Sequence, residues 1–177
     1  MDESLILVDE FGNRNGTAER SACHLGQGIK HRAFVTFLQD ANGRLLIQKR
    51  HRSKLGGGNW DVSATSHVRS NETYAAAIRR CLLHELGVDK PITPNYLLSY
   101  SYLDRLGDRS ENEYCSLFIL GFTGTISPNP DELEDYRWLS VAELADWFQS
   151  DDRLFTRWFG EAFARLLRLQ PLDPSGG

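Results

Sequence analysis

Between Phe34 and Arg50 the chain reads FVTFLQDANGRLLIQKR, two apolar, β-rich runs on either side of Asn42-Gly43. Asn-Gly is the pair that best tolerates the positive φ of a tight hairpin, so this segment predicts two antiparallel strands early in the fold. The same signal excludes an all-helical protein. Helical periodicity appears only later. Glu72–Leu86 predicts a helix capped by Ser70 or Asn71 and stopped by Gly87. Ser140 predicts a cap for VAELADWFQ, and an amphipathic helix is expected from Thr156 to Leu169. SLILVDE, Trp60–Ser66, Tyr96–Leu103 and Tyr114–Thr123 read as further strands, with a turn at Gly12 to Gly16 and a loop through Gly107. KRHRSKLGGGNW, basic and Gly-rich, reads as loop. Strands and helices follow one another without regular βαβ alternation. The expected fold class is therefore α/β or an α+β sandwich, a mixed β-sheet flanked by helices.

At 177 residues the chain fits one domain, expected over 1–170, with PLDPSGG (171–177) as a disordered tail. A net charge of −4 argues against nucleic acid as a partner, because that needs a basic face. No apolar run approaches the roughly 20 residues of a membrane span, and the acidic start MDESLILVDE lacks the basic flank of a signal peptide. Cys23, Cys81 and Cys115 are odd in number and widely spaced, which suggests free thiols in a reducing compartment and a cytoplasmic location.

Three histidines and two glutamates stand out chemically. His24 and His31 flank LGQGIK, His67 follows the strand from Trp60, and Glu111 and Glu113 sit either side of Asn112. In a strand, residues i and i+2 share a face, so both carboxylates can reach one point. Imidazoles with hard carboxylates suit Mn²⁺, Mg²⁺ or Zn²⁺. Taken singly, each residue is as readily an ordinary surface or core side chain, and no periodicity joins the five. The helix string AAAIRRCLLHELGV has the outline of a Nudix helix, with Arg80 and Glu85 in place and Cys81 and His84 where two further glutamates would stand. On pattern alone it is equally an amphipathic helix with a glycine stop.

Taken together, GTAERSACHLGQGIKHRAF, LLIQKRHRSK, NWDVSATSH, RRCLLHELGV, ENEYCSLF and the late Trp158 resemble the type 1 isopentenyl-diphosphate isomerase family, over roughly residues 3 to 165. That family has the Nudix fold and interconverts isopentenyl and dimethylallyl diphosphate. The resemblance implies that His24, His31, His67, Glu111 and Glu113 hold one divalent metal. It implies that Glu85, helped by the carbonyl of Thr65, holds a Mg²⁺ bridging to the diphosphate. Arg20, Arg50 and Lys54 match the basic diphosphate-binding positions, Tyr102 and Trp158 match aromatic positions beside the reacting carbons, and Glu113 matches the protonating glutamate. A small-molecule prenyl diphosphate substrate and a monomer are implied too.

One position departs from the pattern. The family's W-x-x-x-x-C-x-H reads here W-D-V-S-A-T-S-H, so Thr65 stands where the catalytic cysteine is expected. A thiol titrates near 8.5, and an aliphatic hydroxyl is a far weaker acid. Three activities stay open: isomerisation with Glu113 acting alone or with water; protonation-initiated rearrangement or cyclisation of a longer prenyl chain; and Nudix-type diphosphate hydrolysis or simple diphosphate binding.

Overall fold

In the computed structural model, residues 3–169 are described. The expected tail, 171–177, lies outside them. Nine strands and four helices run in the order β1 Ser4–Val8, β2 Arg14–Glu19, α1 Arg20–His24, β3 His31–Gln39, β4 Leu45–Arg50, β5 Trp60–Asp61, β6 Ala64–His67, α2 Tyr74–Leu86, β7 Asn95–Leu106, β8 Arg109–Gly121, β9 Leu133–Leu139, α3 Val141–Ser150 and α4 Arg157–Leu169. A short 3-10 turn over Asp152–Leu154 precedes α4.

β3 organises the sheet. It pairs in parallel with β8 from His31↔Glu113 to Gln39↔Gly121, antiparallel with β6 from Ala33↔His67 to Thr36↔Ala64, and antiparallel with β1. Its residues are apolar on both faces because both faces are covered, as expected for a strand inside a two-sided sheet. Phe34 and Leu38 pack with Ile78, Leu82 and Leu86 of α2. Ala33, Val35 and Phe37 pack with Phe159, Phe163 and Leu166 of α4. On α4 the rings at 159 and 163 are one helical turn apart, and Phe155, Phe159 and Phe163 stack in series with centroids 4.7 and 5.3 Å apart. Each fully buried phenylalanine contributes about 2 kcal/mol to folding. Trp158 packs against the edge of this cluster and also lines a cavity.

Several local expectations are corrected. The Asn42-Gly43 turn is wider than a two-residue hairpin. Only Gly43 has positive φ, while the Asp40 carboxylate accepts from the backbone N–H groups of Asn42 and Arg44. The strands beyond it then diverge, touching only at Gln39↔Leu45, so β3 joins β6 and β8 while β4 joins β5 and β9. The cap of α2 is Thr73, not Ser70 or Asn71, its hydroxyl accepting from Ala76 N–H, and Gly87 ends the helix at φ 65° as expected. Gly16 lies within β2, and the turn before it is closed by Asp9. Trp60–Ser66 is two strands with a break at Val62-Ser63. β7 and β8 are longer than expected and meet in a tight turn at Gly107, which carries Glu111 and Glu113 into regular strand. β2, α1 and β9 were not anticipated.

Candidate active site

The parallel pairing of β3 with β8 sets His31 beside Glu113, and the antiparallel pairing of β3 with β6 sets Ala33 beside His67. Because side chains alternate along a strand, Glu111 and Glu113 share one face of β8, and Thr65 and His67 share one face of β6. α1 brings His24 over the same point. The imidazoles of His24, His31 and His67 form a near-symmetric triangle, with centroids 4.7–4.8 Å apart and planes inclined at 61–64°. Potential ligand atoms of these three and of Glu111 all lie within 4.8 Å of one another. Glu113 is outside that four-residue group but adjacent, its Oε1 3.0 Å from His67 Nε2.

Tautomers are dictated locally. His24 Nδ1 lies 2.6 Å from the Arg20 carbonyl and His31 Nδ1 lies 2.7 Å from the Ile29 carbonyl. A carbonyl only accepts, so Nδ1 carries the proton and the Nε2 lone pair faces the cluster. His31 Nε2 is buried without a hydrogen-bond partner, while Glu111 Oε2 lies 3.0 Å from His24 Nε2 and 3.5 Å from His67 Nε2. Burial and the neighbouring His67 pull the His31 pKa from 6.5 to about 3. Burial would lower His67 too, but its hydrogen bonds to Glu111 and Glu113 outweigh that and lift it to about 9. Glu111 opposes burial with bonds to His24 and His67 and falls well below the ordinary carboxylate range. An orphaned imidazole lone pair among three further donors facing one point is what a divalent cation would satisfy, so the donor set fits the metal that the residues imply.

Beside this cluster opens a cavity of about 910 Å³. Arg20, Arg50, Lys54, Thr65, Glu85, Tyr102 and Trp158 line it, with His67, Glu111 and Glu113 at its metal end. His24 and His31 do not line it and reach the site only through the cluster. Glu85 accepts from Gln48 Nε2 at 2.7 Å and from the Cys81 thiol at 3.0 Å. Cys81 lies 3.8 Å from the Thr65 carbonyl, and burial followed by Glu85 holds its thiol well above the usual range. Cys81 also lines the cavity, on α2 rather than on β6. Cys23, Cys81 and Cys115 are buried and none is in a disulfide.

Thr65 and Tyr102 each have a hydrogen-bond partner within the protein. The Thr65 hydroxyl donates to the Phe34 carbonyl at 2.9 Å. Tyr102, although directly across from Glu113 in the β7–β8 ladder, donates to Asp104 Oδ2 at 3.2 Å, and Asp104 is held by Arg157 at 2.6 Å. Three carboxylates at the site were not singled out in the sequence. Glu132 pairs with Lys54 and with His84, Asp104 anchors Tyr102, and Asp61 binds Arg50 and Trp158. Each looks like a solvated acid in the linear chain. The one available signal was the alternation of Tyr136 and Trp138 with polar residues inside β9, which begins one residue after Glu132.

The NUDIX domain family matches residues 29–159. An isopentenyl-diphosphate Delta-isomerase 2 of Aromatoleum aromaticum is 33% identical over 178 residues, covering 99% of this chain and 93% of that protein. An isopentenyl-diphosphate Delta-isomerase of Burkholderia multivorans is 35% identical over 160 residues, 90% of each chain. Among solved structures, DR0079 from Deinococcus radiodurans superposes with a TM-score of 0.74 at 24% identity, over 92% of this chain and 98% of that one. A MutT protein from Methanosarcina mazei does so at 0.63 and 15%, over 78% and 94%. At these identities the two structures show the fold alone.

Proposed function

The chain belongs to the isopentenyl-diphosphate isomerase family of the Nudix superfamily, and from that premise we propose that it acts on a prenyl diphosphate by protonating its alkene through Glu113. The observation that carries this reading is the convergence of three imidazoles and Glu111 on one point, with Glu113 in contact and a cavity of mixed charge alongside.

His24, His31, His67 and Glu111 would hold a Mn²⁺, Mg²⁺ or Zn²⁺ ion, with Glu113 at its edge, and Glu85 with the Thr65 carbonyl would hold a Mg²⁺ against the diphosphate. Bound there, these cations supply fixed geometry and neutralise substrate charge. Arg20, Arg50 and Lys54 bind phosphate oxygens, Arg with the option of two parallel hydrogen bonds. Glu113 delivers a proton to the alkene and leaves a tertiary carbocation. The electron-rich face of Trp158 stabilises that cation. Isomerisation then requires a base at a different carbon. Thr65 is poorly suited to that task, since its proton is committed to Phe34 and a hydroxyl is a weak acid.

A second reading keeps Glu113 as the acid but gives the cation a different fate, rearrangement or cyclisation of a longer prenyl tail. The tied-up Thr65 favours it. So does the cavity, which at about 910 Å³ lies near the top of the roughly 300–1,000 Å³ range of small-molecule pockets. Hydrolysis is less favoured, because Cys81 and His84 replace two helix carboxylates.

Incubation with Mg²⁺ and isopentenyl diphosphate in deuterated water separates the readings. Deuterium in dimethylallyl diphosphate supports isomerisation, and released phosphate supports hydrolysis. Turnover only of longer members in a panel of five- to twenty-carbon diphosphates supports the second reading. No deuterium incorporation with any prenyl diphosphate would sink protonation by Glu113.

A further inference from the structure

Asp61 is 0% exposed. A carboxylate with no access to water needs compensation at both oxygens. Oδ1 accepts from Val62 N–H at 2.8 Å, from the Thr156 hydroxyl at 3.1 Å and from the Trp158 indole N–H at 2.9 Å. Oδ2 accepts from Arg50 Nη1 at 2.8 Å and shares the indole N–H at 2.8 Å. These partners come from β4, from the break after β5, and from the start of α4. Asp61 is thus where the anion-binding edge of the cavity and its aromatic wall meet, although it does not line the cavity itself.

A second path joins the same two side chains. Arg50 Nε donates to the Leu55 carbonyl at 2.8 Å. The next residue, Gly56, has φ +67°, and a Cβ there would lie 3.0 Å from Cη2 of Trp158. The Arg50 guanidinium also sits 5.4 Å from the centre of the Trp158 ring. Moving Arg50 therefore disturbs the indole through Asp61 and through the loop that presses on it.

We propose that Asp61 is a positioning residue that ties Arg50 and Trp158 into one unit, so that a diphosphate engaging Arg50 changes the placement of the indole. The proposal rests on the diphosphate-binding reading above. An anion competes with Asp61 for the single guanidinium. As Arg50 turns toward the phosphate, its grip on Oδ2 loosens, and the bifurcated indole N–H redistributes between the two oxygens. In this way phosphate occupancy at Arg50 adjusts the aromatic surface beside it.

The test uses full-length protein carrying 5-fluorotryptophan. Its four tryptophans give separate ¹⁹F resonances, and Trp158→Phe identifies the one of interest. The probe is inorganic pyrophosphate with Mg²⁺, and calorimetry reports binding independently. Asp61→Asn keeps the shape and an acceptor for the indole but removes the partner of Arg50. Arg50→Lys, the second variant in case Asp61→Asn does not fold, keeps the charge and loses the planar fork. Pyrophosphate is expected to shift the Trp158 resonance of the unmodified protein. At saturation the shift should fall to less than about half in either variant, as for two groups coupled through a shared partner. A full shift in both variants at saturation, or no shift in the unmodified protein despite bound pyrophosphate, overturns the coupling alone. Absence of pyrophosphate binding to the unmodified protein overturns the diphosphate reading and the coupling with it.

Discussion

Thr65 donates its hydroxyl proton to the carbonyl oxygen of Phe34, 2.9 Å away across the β3–β6 ladder. The side chain at the position where the sequence pattern led us to expect a thiol is thereby spent on the sheet, although it lines the cavity. Replacing it with cysteine restores a group that titrates near 8.5. Thr65→Cys should raise deuterium-incorporating isomerisation of isopentenyl diphosphate about 10²-fold or more, the usual worth of a positioned acid or base. Thr65→Val should cost about 1 kcal/mol of stability and leave that rate unchanged. A cysteine variant no faster than the parent would show that the hydroxyl belongs to the working chemistry or is irrelevant to it.

Glu113 touches the cluster without belonging to its four-residue core. Metal binding and proton transfer should therefore separate. His31→Ala should weaken binding of Mn²⁺ about 100-fold or more, since the buried Nε2 has no other partner. Glu113→Gln should retain Mn²⁺ within about tenfold yet lower turnover in deuterated water 10²–10⁴-fold. Metal content after dialysis and product deuterium measure the two effects independently. Equal loss of metal in both variants would make Glu113 a full ligand.

Stripped of metal, the protein should have a stability maximum near pH 6–7. His31 has a folded pKa depressed from 6.5 to about 3, so its contribution is present above 6.5 and is lost as pH falls toward 3. His67 has a folded pKa raised from 6.5 to about 9, so its contribution is present below 6.5 and is lost as pH rises through 9. Urea unfolding of chelator-treated protein from pH 4 to pH 9.5 checks the shape. A stability that climbs steadily to pH 9.5 would contradict the His67–Glu113 and His67–Glu111 pairing. Adding Mn²⁺ should stabilise increasingly as pH rises toward 9, where His67 gives up the proton that competes with the ion.

Among the described residues Arg20 carries no ion pair, whereas Lys54 is matched by Glu132 and Arg50 by Asp61. Arg20 is exposed and is the first residue of α1, and its backbone carbonyl also orients His24. Arg20→Ala keeps that carbonyl and should fold normally. Loss of one charge-assisted contact should raise the KM for the prenyl diphosphate, or the Kd for pyrophosphate, about tenfold, and less at high salt. An unchanged Kd at low salt would remove Arg20 from the binding site.

What the amino-acid order determined by itself was local. Apolar runs marked β1, β3, β4, β7 and β8, Gly87 marked the end of α2, and the i, i+2 spacing of Glu111 and Glu113 put two carboxylates on one face. The residue types suited a divalent cation, and the phosphate ester was implied only by resemblance to the isomerase family. Tertiary structure decided the rest. His24, His31 and His67 become neighbours only because β3 accepts β8 in parallel on one edge and β6 on the other, pairings formed by residues far apart along the chain. Thr73 rather than Ser70 capped α2 because the cap depends on where the backbone turns into the helix. Asp61 is the sharpest case. In sequence it is one acid among 24 aspartates and glutamates, and only the docking of α4 on β5 removes it from water and forces it to bind Arg50 and Trp158. Local propensity acts over a few residues, but desolvation depends on every element that closes over a side chain, and that is settled only when the layers pack.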